Sequence, residues 1–431
     1  MGLGKHTKAS DKSSPWRVPG MVTGTILAIT LLAAGALIGL QRGRDTSSGG
    51  PSGQRTHSTT TLAPTPLTIT GVSPAPGTAN AAFDTSVTVD FSQPLASDSP
   101  LPTLSPAPPG SWVRTAPAAI RFVPDGNFTP FTTVQLSVPG GPGGVRSSSG
   151  QALTNTLRNK FVIEGGSELR LQQLLAELDY LPVKFVPPVS LRPPTTTLPT
   201  TTLPAVPAVI HQPSRSASTV PAAPLPAVYS EPSDPTKIPL QAVAGSFEWR
   251  FGNVPASLGA LWTTGQPNVI MRGAIMAFES AHGLVTDGFA GPKVWSALLQ
   301  AVALRQVSTQ PYDYVIVTQK LPESAAVWRD GKYIFSTLVN TGIPEAPTAV
   351  GTYPVYARYV VTTMSGKNPN GTPYSDPGIP WVSYFNGGDA LHGFLRSSYG
   401  FPQSLGCVEM TYPNAKTMWP LTPLGTLVSV L

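Results

Sequence analysis

The chain has 431 residues, a formal net charge of +6 and 12% charged residues, about half the ~25% of ordinary soluble domains. That length allows about two to four domains, and so low a charge density argues against charged helical bundles. The basic residues form no dense stripe, which argues against nucleic acid and leaves only a weak attraction to an anionic polymer.

Residues 18–40 carry no charged side chain, with Lys5, Lys8, Lys12 and Arg17 before them and Arg42 and Arg44 after. A stretch of this length spans a hydrocarbon core of ~30 Å. The basic flank places residues 1–17 on the cytoplasmic side. The expectation is a single-pass anchor in the cell membrane, with everything after it extracytoplasmic. Residues 41–66, rich in Ser, Gly, Thr and Pro, read as a flexible tether.

From residue 67 to 165 short alternating segments, such as Ser86-Val-Thr-Val-Asp-Phe91 and Thr133-Val-Gln-Leu-Ser-Val138, are separated by turn formers. That spacing predicts a β-sandwich. The run SPAPGTANAAFDTSVTVDFSQPL resembles bacterial Ig-like modules, and no cluster within it looks catalytic. A spacer role is expected.

Residues 167–303 read as a small three-helix module. Leu171, Leu174, Leu175 and Leu178 share a helical stripe over Ser167–Leu181. Ile270, Ala274, Phe278 and Ala281 form a second stripe. Pro292 opens a third helix, at a position where its missing N–H costs nothing. Between the first and second lies a Pro/Thr-rich insertion, residues 187–240, containing TTTLPTTTLP. Its composition predicts disorder. LRLQQLLAELDYLPV and AIMAFESAHGLVTDGFAGPKVWSAL resemble the peptidoglycan-binding-domain-like family. That resemblance implies either binding of wall glycan, with Phe278 and Trp295 as candidates, or mere orientation of a neighbouring domain.

The last segment, residues 311–431, is rich in β-branched and aromatic runs: Tyr312–Val317, Tyr333–Val339 and Tyr353–Val361. It reads as a mostly-β domain. The chain's one cysteine, Cys407, lies here shortly after His392, and no intramolecular disulfide can form. Cysteine nucleophiles need a general base at hydrogen-bond distance and a third group to orient that base. Pairing with an imidazole is expected to lower the thiol pKa. Spacing alone admits two readings, a thiol–imidazole pair or an inert core cysteine beside a satisfied histidine.

His392-Gly393, then Ser404-Leu405-Gly406-Cys407, together with an upstream turn Ala346-Pro-Thr348-Ala-Val-Gly351, resemble the L,D-transpeptidase (YkuD) family over the final ~120 residues. The resemblance implies Cys407 as nucleophile and His392 as base, oriented by the Gly393 carbonyl. It also implies Ser404 in the motif and oxyanion donors near Gly406 and Cys407. Two positions depart from it: Leu405 replaces a histidine, and Glu409 stands where Arg or Asn is usual. Glu409 reads either as a substrate contact or as a solvated carboxylate. Tyr384 and Trp381 are candidates for the donor cleft, with core packing as the other reading. The implied activity is peptidoglycan cross-linking, by acyl transfer from a tetrapeptide stem to an amine, with no cofactor or metal. Alternatives are an L,D-carboxypeptidase, a protein-anchoring transferase, or a non-catalytic wall-binding scaffold. The expected architecture is therefore multidomain: a transmembrane helix, an Ig-like sandwich, a helical module split by an insertion, and a mostly-β L,D-transpeptidase-like domain.

Overall fold

The computed structural model describes residues 65–188 and 231–431. The expected tail and transmembrane helix, most of the tether, and residues 189–230 of the insertion lie outside the described residues. Among the described residues no helix is long and apolar enough to cross a membrane.

The first domain contains strands β1 (Ile69–Ser73), β2 (Val87–Phe91), β3 (Thr103–Ser105), β4 (Gly110–Ala116), β5 (Ala119–Pro124), β6 (Thr133–Val138) and β7 (Leu157–Val162). They form two sheets, in the orders β1-β2-β5-β4 and β3-β6-β7. Alternation decides which side chains meet between them. Val87, Val89, Ile120 and Phe122 come from one sheet and Val134, Leu136, Val138 and Phe161 from the other, all buried. Each contributes about 1.5–3 kcal/mol of burial.

The second module begins with α1 (Glu168–Glu177), capped by Ser167 Oγ, which accepts the Arg170 N–H at 3.1 Å. The helix ends before the expected Leu181 because Asp179 takes a left-handed φ of 63° and reverses the chain. Strands β8 (Val183–Val186) and β9 (Ser246–Trp249) pair antiparallel, and α2 (Ala256–Gly259), α3 (Val269–Ala281) and α4 (Pro292–Ala303) follow. α1 packs against α3 and α4. Phe278 and Trp295 are 0% and 1% exposed, so both are packed in the core of the module.

The insertion is shorter than its composition implies. Residues 231–240, expected to be disordered, are packed. Ile238 and Leu240 are buried, and Glu231 pairs with Arg170 with both side chains 1% exposed. Arg170 Nε also donates to Pro239 O at 2.7 Å, and Gln173 exchanges hydrogen bonds with the backbone of Val243. Apolar burial and a buried ion pair at this end offset the ordering entropy.

The third domain comprises β10 (Asp313–Thr318), β11 (Ser324–Arg329), β12 (Lys332–Leu338), β13 (Gly351–Pro354), β14 (Ala357–Lys367), β15 (Pro373–Asn386), β16 (Asp389–Gly393), β17 (Val408–Met410), α5 (Tyr412–Met418) and β18 (Leu427–Val430). One sheet runs β12-β11-β10-β18-β13 and the other β14-β15-β16-β17. The stretch Tyr353–Val361, one strand by its sequence, is split by the chain between the two sheets. Val315, Val317, Val327, Leu391, Val408, Met410, Val428 and Val430 form one buried cluster drawn from both. The domain is docked on the helical module: Trp328 Nε1 donates to Asn253 O at 3.0 Å, and Tyr314 meets Ser257 Oγ at 3.0 Å.

Arg170→Met removes the guanidinium from the buried Glu231 carboxylate, and is expected to cost about 3–5 kcal/mol. A urea unfolding midpoint unchanged from wild type would show that the pair does not anchor residues 231–243.

Candidate active site

The candidate site lies on β16 and β17, which pair in parallel with Leu391 opposite Val408 and His392 opposite Glu409. Extending that register by one residue sets Cys407 beside Ala390. Successive side chains point to opposite faces. Leu391, Val408 and Met410 enter the core between the sheets, so Ala390, His392, Cys407 and Glu409 share the other face. Cys407 and His392 are therefore diagonal neighbours on adjacent strands, a relation within reach of long side chains. Cys407 packs there with Ile379, Val382, Ala390, Met364, Tyr384 and Phe394.

The imidazole is held in one tautomer. His392, 2% exposed, has Nδ1 at 3.0 Å from Gly393 O. A carbonyl can only accept, so Nδ1 carries the proton of the neutral ring and Nε2 keeps its lone pair. Burial pushes the His392 pKa down, only partly opposed by the Gly393 carbonyl and the Glu409 charge. The ring is thus a neutral base.

The thiol departs from the sequence-based expectation. Its pKa is not lowered; burial pushes it up to about 12, and the charges of Asp389 and Glu409 add to the rise. Cys407 is half-buried, with Sγ donating to Gly388 O at 3.6 Å. Desolvation is the largest cause, only partly opposed by a hydrogen bond from the Ala390 backbone. Both groups are therefore biased toward their neutral forms.

The loop before Cys407 is shaped by Ser404, which is buried. Its Oγ donates to Cys407 O and accepts the Gly406 N–H at 3.3 Å. That N–H is thereby engaged by Ser404. Gly406 has φ +114°, and a Cβ there would lie 2.4 Å from Asp389 Oδ1. Asp389 Oδ2 in turn accepts the Ala349 N–H at 3.2 Å, tying the turn 346–351 to the cysteine loop. Burial pushes the Asp389 pKa up to about 6.

The remaining candidates separate by face. Tyr384 lies with Cys407. Trp381 does not: it packs on the core side and against Trp419, with ring centroids 5.8 Å apart. Trp381 takes a left-handed φ of 58°, which breaks the alternation of β15 and leaves its ring with the core cluster rather than with Cys407. Leu405 is half-buried. Glu409 is not a solvated carboxylate. It is 5% exposed, and its two oxygens accept from Arg396 Nε at 2.7 Å and Nη2 at 2.8 Å. Arg396 and Asp389 are the site residues that sequence reasoning missed. For Arg396 a signal existed, because it is the one Lys or Arg between His392 and Cys407.

Among the described residues no group of three or more His, Cys, Asp or Glu could hold a metal ion. A cavity of about 560 Å³ lies elsewhere, lined by Phe131, Glu168, Arg272, Phe289, Trp295 and Tyr353 among others. It includes none of these site residues.

Alkylation of Cys407 by iodoacetamide should be slow at pH 7 and keep rising through pH 10, because its thiol titrates near 12. A plateau below pH 8 would reveal a preformed thiolate instead. Gly406→Ala, which combines an unfavourable φ with a clash, should destabilise the fold by ~1–3 kcal/mol. The midpoint of denaturant unfolding is the check.

Two family models match the chain. The L,D-transpeptidase catalytic domain (YkuD) matches residues 313–430, and a bacterial Ig-like domain (Big_5) matches residues 63–162. No curated protein matches. Among solved structures, an L,D-transpeptidase from Mycobacterium smegmatis is similar at 12% identity, over 85% of this chain and 100% of that one, with a TM-score of 0.26. The catalytic domain of an E. faecium L,D-transpeptidase is similar at 24% identity, over 29% of this chain and 100% of that one, also with a TM-score of 0.26. L,D-transpeptidase 3 from Mycobacterium tuberculosis is similar at 12% identity, over 84% of this chain and 98% of that one, with a TM-score of 0.25. The peptidoglycan-binding resemblance of the helical module finds no counterpart among the family matches. The mostly-β domain around Cys407 and His392 is an L,D-transpeptidase catalytic domain of the YkuD family, carried behind a bacterial Ig-like domain.

Proposed function

We propose that this protein is a membrane-anchored cysteine acyltransferase that cross-links peptidoglycan stems outside the cell. The observation that carries the reading is the shared face of β16 and β17. It sets Cys407 diagonal to an imidazole whose Nδ1 is committed to Gly393 O and whose Nε2 is free to take a proton.

In the proposed reaction, His392 Nε2 accepts the Cys407 thiol proton as Sγ attacks the carbonyl of the diamino acid at stem position three. The tetrahedral adduct collapses when the bond to the terminal D-Ala nitrogen breaks. The imidazolium returns its proton to that nitrogen. A side-chain amine of a second stem then attacks the thioester, gives up a proton to Nε2, and expels the thiolate, which recovers a proton from the ring. The high thiol pKa makes base assistance indispensable here, because little thiolate exists without it. The stretch at residues 18–40 would hold the enzyme at the membrane, with its later domains facing the wall.

Mass spectrometry of a tetrapeptide-stem digest treated with wild type and Cys407→Ala tests the reading. Cross-linked dimer formed by wild type alone is expected. Hydrolysed stem would mean a carboxypeptidase, and no product from either protein would leave a wall-binding scaffold. His392→Gln should slow acylation about 10²–10⁴-fold while leaving the fold intact by circular dichroism. An unaffected rate would remove His392 as the base.

A further inference from the structure

The geometry points to Arg396 as the residue that recognises the terminal carboxylate of the donor, so that the site selects stems ending in a free acid. This deepens the proposed function and rests on it.

A guanidinium has five N–H groups and is always charged. Arg396 commits Nε to Glu409 Oε2, and Nη2 to both Glu409 Oε1 and Gln403 O, at 2.7, 2.8 and 3.2 Å. Both Nη1 hydrogens are left without an acceptor among the described residues. The side chain is 29% exposed, whereas that of Glu409 is 6% exposed. The carboxylate thus fixes the inner edge of a guanidinium whose outer edge faces solvent.

Location supplies the second half. Glu409 is the register partner of His392. The Arg396 guanidinium lies over the Phe394 ring, 4.6 Å from its centroid, and that ring meets His392 edge-on at 6.1 Å. The free cationic edge is therefore about one aromatic ring from the imidazole. In the proposed reaction the imidazolium protonates the nitrogen of the leaving residue, and that residue carries its carboxylate two bonds away. An anion so placed falls beside Arg396. The loop that presents Arg396 is itself pinned, with Tyr399 OH donating to Phe394 O at 2.6 Å and accepting the Arg396 N–H at 3.2 Å. Glu409, which departs from the Arg or Asn usual in the resembling family, then has a reason. It does not supply the cation; it holds one delivered from the opposite loop.

The test measures binding in full-length Cys407→Ala by calorimetry, so that recognition is read apart from turnover. Two probes are used: a tetrapeptide stem with a free C-terminal carboxylate and the same peptide C-terminally amidated. One charged hydrogen bond predicts that the acid binds about 10–100-fold tighter. Adding Arg396→Gln and Glu409→Gln together, which leaves no lone buried charge, should bring that ratio to about one. Arg396→Lys keeps a cation against Glu409 but lacks the free second edge, and should lower the ratio by at least half. A ratio near one in the parent, or a ratio that survives the double substitution, overturns the assignment. Turnover by the wild-type enzyme without an acid preference would sink this inference alone. An acid preference that vanishes with Arg396, in a protein whose wild type makes no product, would sustain it and remove the cross-linking reaction.

Discussion

The parallel pairing of two short strands, β16 and β17, is the constraint on which the site depends. Their register sets His392 opposite Glu409 and Cys407 beside Ala390. Because side chains alternate, a slip of one residue in either strand would send either the thiol or the imidazole into the hydrophobic core. The register is secured from both sides. Leu391, Val408 and Met410 lock it by burial, and Asn340 exchanges two backbone hydrogen bonds with Glu409, each 2.9 Å.

Around that pairing the polar groups form a closed set of supports. Ser404 shapes the backbone before Cys407, and the Gly393 carbonyl fixes the His392 ring. Asp389 joins the turn at 346–351 to the loop at Gly406, occupying the space that any larger residue at 406 would need. The same enclosure that orders these groups also desolvates them. It lowers the basicity of His392 and raises the thiol of Cys407. Both groups are thus held toward their neutral forms. Such a thiol is protected from adventitious reaction, since the thiolate is the reactive species.

The helical module is fastened within itself and to the last domain. Arg170 and Glu231 fasten the end of the long insertion to the first helix, while Trp328 and Tyr314 join the helical module to the catalytic sheet. Phe278 and Trp295 are both buried in the packing of the helical module.

Much of this was legible in the residues themselves. Alternating apolar positions announced the sandwich and its buried faces, since a strand half-exposed to water must alternate. Pro292 and the leucine stripes marked helices, because capping and periodicity are local. The His-Gly and Ser-x-Gly-Cys segments marked where the chemistry would lie. What remained hidden depended on partners distant in sequence. Trp381 and Tyr384 look equivalent as letters, and only the packing of β15 sends one to the core and the other to the cysteine. Composition averaged over residues 187–240 concealed that the last ten are held by Arg170 and by their own apolar side chains. The direction of the Cys407 pKa could not follow from a nearby histidine, because desolvation is a property of the whole enclosure. Glu409 looked solvated until Arg396 closed on it. Local chemistry can be read along a chain, but burial and charge pairing arise only when the fold brings separate segments together.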